Sequence, residues 1–319
     1  MKNNYSTFFS AIVLSLILQG CLDTGESDRE QQIKEDNEII QAYLDANDIE
    51  AEETSSGVYY EVLEENEQGK QVVQDHVVGI RYTMKHLSGE QEIESNIDSL
   101  APLRFSNSYN MNYTAIHPIG LNYEISKMKE GEKFRFYIPS YQAFGNYSHD
   151  ELFDSYSNFI IDVDLVELKT EDEIYDEEVD SIKSYIESNE LEAESYPNGL
   201  YHILVEEGTG EKPNSSSQIE FHYTRKYLDG TVIESTLDDD PAQVAVNGND
   251  MVPGLRSGIM LMKEGEKANL IMPSKIAFGK SSQVIPQQMR DDWVENGEFN
   301  PATKPYSSVI YEVELISVD

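Results

Sequence analysis

The feature that most constrains this chain is that it repeats itself. Ile40-Gln-Ala-Tyr43-Leu44 is answered by Ile182-Lys-Ser-Tyr185-Ile186, and Ser56-Gly57-Val58-Tyr59 by Asn198-Gly199-Leu200-Tyr201, each 142 positions on. The correspondence resumes 134 positions apart: Met128, Gly131 and Lys133 match Met262, Gly265 and Lys267, and Ala143-Phe144-Gly145 matches Ala277-Phe278-Gly279. It closes with Phe159, Ile161, Val163 and Leu165 against Val309, Tyr311, Val313 and Leu315, both sets alternating with acids or other outward residues. Two copies of one domain account for this, and 319 residues is a length that two ordinary domains need.

Within a copy, two periods alternate. Ile40, Tyr43 and Leu44 fall at i, i+3 and i+4, one stripe of a short helix that must dock on something. Ile219, Phe221 and Tyr223 have the two-residue period of a half-buried strand. Leu255, Ile259 and Met262, followed by Gly265, predict a second short helix from about Gly254 to Met262, and Leu121, Ile125 and Met128 repeat it in the first copy. The economical fold class is α+β: two tandem domains, each a mostly antiparallel sheet wrapped around one short helix and each preceded by an extra short helix.

Sixty Asp and Glu against 23 Lys and Arg leave a formal charge of −37. That field repels phosphate backbones and gives no attraction to anionic lipid headgroups, so nucleic acid is disfavoured as a partner and membrane attachment has to be hydrophobic. The candidate is at the N-terminus: Lys2, an apolar run from Phe8 to Leu18, then Leu18-Gln19-Gly20-Cys21. This resembles a bacterial lipobox. The resemblance implies cleavage before Cys21, lipid on Cys21, and, because Leu22 rather than Asp follows, the outer membrane. The other reading is an unmodified cysteine closing an ordinary signal or anchor helix. With a single cysteine, no intrachain disulfide forms under either.

Domains follow. Residues 1–20 read as signal peptide and 21–38 as a flexible acidic tether. Residues 39–169 read as the first domain, and 170–180, with seven carboxylates from Glu171 to Asp180, as a solvated linker without EF-hand spacing. Residues 181–319 read as the second domain. The six histidines lack metal-ligand spacing and no cysteine pairs with them, so neither a metal nor a cofactor is expected.

The second copy contains His222-Tyr223-Thr224, Asp229-Gly230, Ile233-Glu234-Ser235, Val252-Pro253-Gly254-Leu255, Gly258, Gly265, Pro273-Ser274, Ala277-Phe278-Gly279 and Tyr311. In that order these residues resemble the FKBP-type (FK506-binding) peptidyl-prolyl cis-trans isomerase family over about residues 199 to 319. The first copy keeps the order more loosely, in Arg81-Tyr82-Thr83, Ile93-Glu94-Ser95, Ile119-Gly120-Leu121, Pro139-Ser140 and Ala143-Phe144-Gly145.

The resemblance implies an apolar cup in the second copy, with Tyr223, Val252, Phe278 and Tyr311 as catalytic positions. Ile233, Glu234, Val244, Met251 and Leu255 are the substrate-binding positions. It implies that the Val252 N–H receives a substrate carbonyl and that Glu234 sits beside Tyr223. Departures from the family are Leu255 for a tryptophan floor, Phe278 for a tyrosine, and Ile233 for an aromatic wall. They imply weak activity, and Leu121 with the looser segment from Ile97 to Tyr113 implies none in the first copy, so that activity is confined to the second. The implied substrates are proline-containing segments of exported proteins. The alternative is a non-catalytic chaperone or peptide-binding surface lipoprotein.

Between Gly279 and Ser308 the second copy carries a long insertion with Pro286, Trp293 and Pro305. Long loops inside compact domains are often functional. Trp293, the only tryptophan, is expected to anchor this loop on its own barrel, with a partner or substrate contact as the other reading.

Overall fold

The structure, a computed structural model, describes residues 27–99, 101–107, 116–237, 240–298 and 302–319; Cys21 and the apolar run before it lie outside the described residues. Each half opens with a helix that the acidic composition conceals. Helix α1 (Asp28–Ala46) starts at Ser27 and helix α3 (Glu171–Ser188) at Thr170. The Ser27 and Thr170 hydroxyls accept from the N–H groups of Glu30 and Glu173, whose carboxylates accept in return from the capping residues' own N–H groups. Such reciprocal capping satisfies backbone donors that the first turn leaves open, and acids there complement the helix dipole.

The expected flexible tether through residue 38 and solvated linker over 170–180 are therefore corrected: both runs are largely helix. One acid from each helix turns inward. Asp36 is fully buried and accepts from the Ser140 hydroxyl at 2.6 Å. Glu178 accepts from the Ser274 hydroxyl at 2.7 Å and from its N–H at 3.1 Å. Asp36 and Glu178 obey the same spacing as the rest of the N-terminal repeat. Both helices thus begin ahead of residues 39 and 181.

The strands of the first half are β1 (Glu52–Glu53), β2 (Tyr59–Glu64), β3 (Val77–His86), β4 (Glu92–Ser95), β5 (Leu103–Ser106), β6 (Ile116–His117), β7 (Lys133–Ile138) and β8 (Phe159–Lys169), with helix α2 (Ile119–Glu124) before β7. The second half has β9 (Glu194–Ser195), β10 (Tyr201–Glu206), β11 (Gln218–Tyr227), β12 (Val232–Ser235), β13 (Ala242–Ala245), β14 (Lys267–Met272), β15 (Gln283–Val284) and β16 (Val309–Val318). Helix α4 (Pro253–Ile259) precedes β14, and α5 (Gln287–Glu295) lies between β15 and β16.

Two seven-stranded antiparallel sheets result, with one topology. The first runs β1-β2-β7-β8-β3-β4 with β5 on β3; the second runs β9-β10-β14-β16-β11-β12 with β13 on β11. The stripes Leu121, Ile125, Met128 and Leu255, Ile259, Met262 are buried in the two main cores. Helix α4 ends at Ile259, earlier than the spacing predicts, and Met262 is buried from the turn that follows. A Cβ on Gly258 would stand 2.4 Å from Leu270, so only glycine lets α4 lie this close to β14.

The halves are also stitched together. Strand β15 pairs parallel to β6, Gln283 with Ile116 and Val284 with His117. Cis peptide bonds at His117–Pro118 and Ile285–Pro286 adjoin this ladder.

Candidate functional site

The second sheet gathers the predicted residues by simple alternation. Strand β11 places Tyr223 and Arg225 on one face, β12 brings Ile233 and Glu234, β13 brings Val244, and β16 brings Tyr311. Met251 and Val252 enter at the start of α4, Leu255 from its first turn, and Phe278 after the turn Ser274–Ile276. Met251, Leu255 and Tyr311 are buried members of one apolar cluster, and Tyr223, Ile233, Val244, Val252 and Phe278 pack half-buried against it. The Tyr223 and Tyr311 rings lie 5.6 Å apart. Val252 caps α4 in an extended conformation, and its N–H donates to no other backbone group among the described residues.

Glu234 is at the solvent edge of this cluster, beside the Tyr223 hydroxyl. Burial, reinforced by the hydrogen bond to Glu234, holds the Tyr223 phenol above its ordinary pKa. Burial does the same to Tyr311, against the opposing pull of Arg225. Both hydroxyls therefore stay protonated across neutral pH, the Tyr223 hydroxyl donating to Glu234.

Sequence reasoning missed Arg225. Its guanidinium lies 4.4 Å above the Phe278 ring and 5.9 Å from the Tyr311 ring centroid. It donates to the Tyr311 hydroxyl at 3.3 Å and pairs with Glu234 at 2.8 Å. Arg225 is 7% exposed, and its Nε has no partner. A signal was there to read: the strand period puts position 225 on the face of Tyr223, and the first copy has Met84 at the matching place.

The first cup is built from matching residues and is filled. Tyr82, Phe105, Leu121 and Ile161, the counterparts of Tyr223, Val244, Leu255 and Tyr311, are buried in one cluster together with Val284, Ile285 and Met289 of the second copy's insertion. The expectation that Trp293 anchors the loop to its own barrel is corrected. Trp293 packs against the first core, with its ring edge-on to Tyr147 at 6.0 Å and its N–H directed at the Tyr147 hydroxyl at 3.4 Å. Glu94, the counterpart of Glu234, accepts from the Tyr82 hydroxyl and from the Gln287 N–H at 2.8 and 2.9 Å. Pro118 stands where the second copy has Val252, so the first cup has no backbone N–H to offer there.

No three His, Cys, Asp or Glu side chains converge as a metal site among the described residues. What the second cup can do is hold a compact apolar group against aromatic walls that carry neutral hydroxyls, next to the start of α4.

Comparison with known proteins agrees with this geometry. The family model for FKBP-type peptidyl-prolyl cis-trans isomerases matches residues 68–166 and 209–316, more than half of the chain. The Escherichia coli FKBP-type 22 kDa peptidyl-prolyl cis-trans isomerase is 30% identical over 137 residues, which is 42% of this chain and 58% of that protein. The FkpA isomerase of Aeromonas hydrophila is 36% identical over 87 residues, 27% of this chain and 32% of that protein. Outer membrane protein MIP of Legionella longbeachae is 29% identical over 123 residues, 38% of this chain and 45% of that protein. The chain thus spans between about a third and somewhat over half the length of these relatives. With one topology built twice, each copy matched by the family, the chain belongs to the FKBP-type peptidyl-prolyl cis-trans isomerases as a tandem-domain member.

Proposed function

We propose that the second domain isomerises X-Pro peptide bonds and that the first domain does not. Rotation about such a bond faces a barrier of about 18–20 kcal/mol set by amide resonance, so no nucleophile is required. A site accelerates rotation by binding the twisted amide better than either planar form, and a thousandfold effect needs about 4 kcal/mol of preference. Desolvation works in the same direction, because the planar amide is the more polar species. In the second cup, proline would sit on Leu255 between Tyr223, Phe278 and Tyr311. Ile233, Val244 and Met251 would close its sides, and the Val252 N–H would hold a carbonyl of the substrate.

Arg225 has to leave the Phe278 face for proline to enter. The contacts it would give up are a cation–π stack in a largely desolvated site, about 2 kcal/mol, and an ion pair to an exposed carboxylate, about 0–1 kcal/mol. An opening cost of that size, about 2–3 kcal/mol, lowers the rate about thirty- to a hundredfold and does not abolish it. The carrying observation is that all eight apolar and aromatic residues assigned to the cup fall in one cluster whose rim is only half-buried.

The proposed setting is the bacterial outer membrane, with the chain anchored through lipid on Cys21 and acting on proline-containing segments of exported proteins. The lipobox resemblance supports this, and so does the relative whose name describes an outer membrane protein. A second reading, peptide binding without turnover, is favoured by Arg225 lying in the cup. A tetrapeptide isomerisation assay on the chain separates the two. Catalysis lost in Tyr223→Ala, with the variant still folded, supports the enzyme; a wild-type rate equal to the uncatalysed one removes it.

A further inference from the structure

The first cup is a built site whose occupant is visible. Val284 and Ile285 are wholly buried in a core otherwise made by the first domain, and Met289 joins them one helical turn later. The backbone is held as firmly as the side chains. Gln283 and Val284 extend β6 as a parallel strand, the Ile285 N–H donates to the His117 carbonyl at 2.9 Å, and the Gln287 N–H donates to both oxygens of Glu94. Around the rim, His149 meets Asp292 at 2.7 Å and the Gln288 amide reaches Glu151 at 3.1 Å. Strand addition plus side-chain pockets is how domains recognise extended peptides.

We propose that residues 283–289 are a built-in ligand of the first domain: this cup is a receptor for an extended segment with two aliphatic residues before a proline, and the chain occupies it with its own insertion. The second copy's counterpart acid pairs with Arg225, whereas Glu94, besides accepting from Tyr82, accepts from a backbone N–H of the other domain, so the seated segment supplies the donor that Arg225 supplies in the second cup. The inference stands whether or not the second domain turns substrate over, because nothing in it requires catalysis. Being tethered, the segment competes at an effective concentration in the millimolar range, so a foreign peptide of the same chemistry is shut out at micromolar levels.

The test uses the full chain and a labelled peptide copying residues 282–290, with binding read by anisotropy and seating read by the emission of Trp293, the only tryptophan. Gln287→Pro is the release variant. It deletes the N–H that Glu94 accepts, at the first position of α5, where proline is tolerated, after a Pro286 whose ψ of 153° already suits a following proline. Ile285→Asp is the second, stronger release.

Both variants are expected to bind the peptide at least about tenfold more tightly than wild type and to shift Trp293 emission to longer wavelength. Adding Glu94→Ala to Gln287→Pro is expected to take that gain back. In the unmodified chain, millimolar peptide is expected to shift the emission the same way. Wild-type binding and emission in both release variants would overturn the proposal, as would a gain that Glu94→Ala leaves intact or an unmodified chain whose emission ignores excess peptide. Tetrapeptide isomerisation, followed separately, reports on the second domain alone and does not enter this decision.

Discussion

The Arg225 guanidinium rests 4.4 Å above the ring of Phe278, with Glu234 holding its outer edge at 2.8 Å. A cation thereby covers the aromatic wall of an otherwise apolar cup, and two expectations follow from this contact, with two more from buried acids elsewhere in the chain.

Replacing the lid should raise activity. Arg225→Ala is expected to increase kcat/KM for an apolar X-Pro tetrapeptide by about thirty- to a hundredfold, the factor that corresponds to about 2–3 kcal/mol of opening cost. A decrease would mean that the guanidinium assists rotation and does not obstruct it.

Restoring a hydroxyl at the wall should help as well. Phe278→Tyr adds one hydrogen-bond donor at the cup's edge, and one such bond contributes about 0.5–1.5 kcal/mol net, so a gain of about two- to tenfold is expected. Measured with Arg225→Ala as background, an unchanged rate would show that no substrate carbonyl comes within reach of position 278.

Stability should carry a signature of Glu178. Burial raises its pKa above the ordinary 4.5, with Ser274 and Ser308 opposing the shift. The folded state therefore holds this proton to higher pH than the unfolded chain does. The contribution is fully present below pH 4.5 and is lost as pH rises through the raised value. Glu178→Gln should remove that loss. In urea melts from pH 4 to 7, the difference between wild type and variant should grow with pH across this window; a difference independent of pH would contradict the assignment.

Helix α1 should matter to the first domain through one buried contact. Asp36→Ala leaves the buried Ser140 hydroxyl without its acceptor, which costs about 1–3 kcal/mol of unfolding free energy. Equilibrium unfolding of the chain would register it, and an unaltered curve would return residues 28–38 to the status of a dispensable tether.

Much of the fold was legible because its signals are local. The alternation Ile219, Phe221, Tyr223 and the stripe Leu255, Ile259, Met262 each encode a buried face on their own, and the repeat doubles every such signal. The family resemblance then put eight cup residues into what the structure makes one cluster. The acidic helices were misread for a reason that is also local: the capping pairs Ser27 with Glu30 and Thr170 with Glu173 were present, but the density of carboxylates around them outweighed two short motifs. Arg225 was missed because apolar expectations were applied to a face where strand period alone would have placed a charge.

The amino-acid order by itself determined that there are two copies of one domain and which faces of their strands and helices are buried, since both follow from spacing along the chain; the residues of the second cup came from the family resemblance. The order also determined that an insertion of aliphatic and aromatic residues had to be buried somewhere. Only the tertiary structure decided where. Val284, Ile285 and Trp293 could have folded back on the sheet they belong to, and nothing in their spacing distinguishes that outcome from burial in the other copy. The choice rests on the shape of a cup, the Glu94 carboxylate and the edge that strand β6 offers to β15, three features brought together from distant parts of the first domain and absent from any single stretch of its sequence.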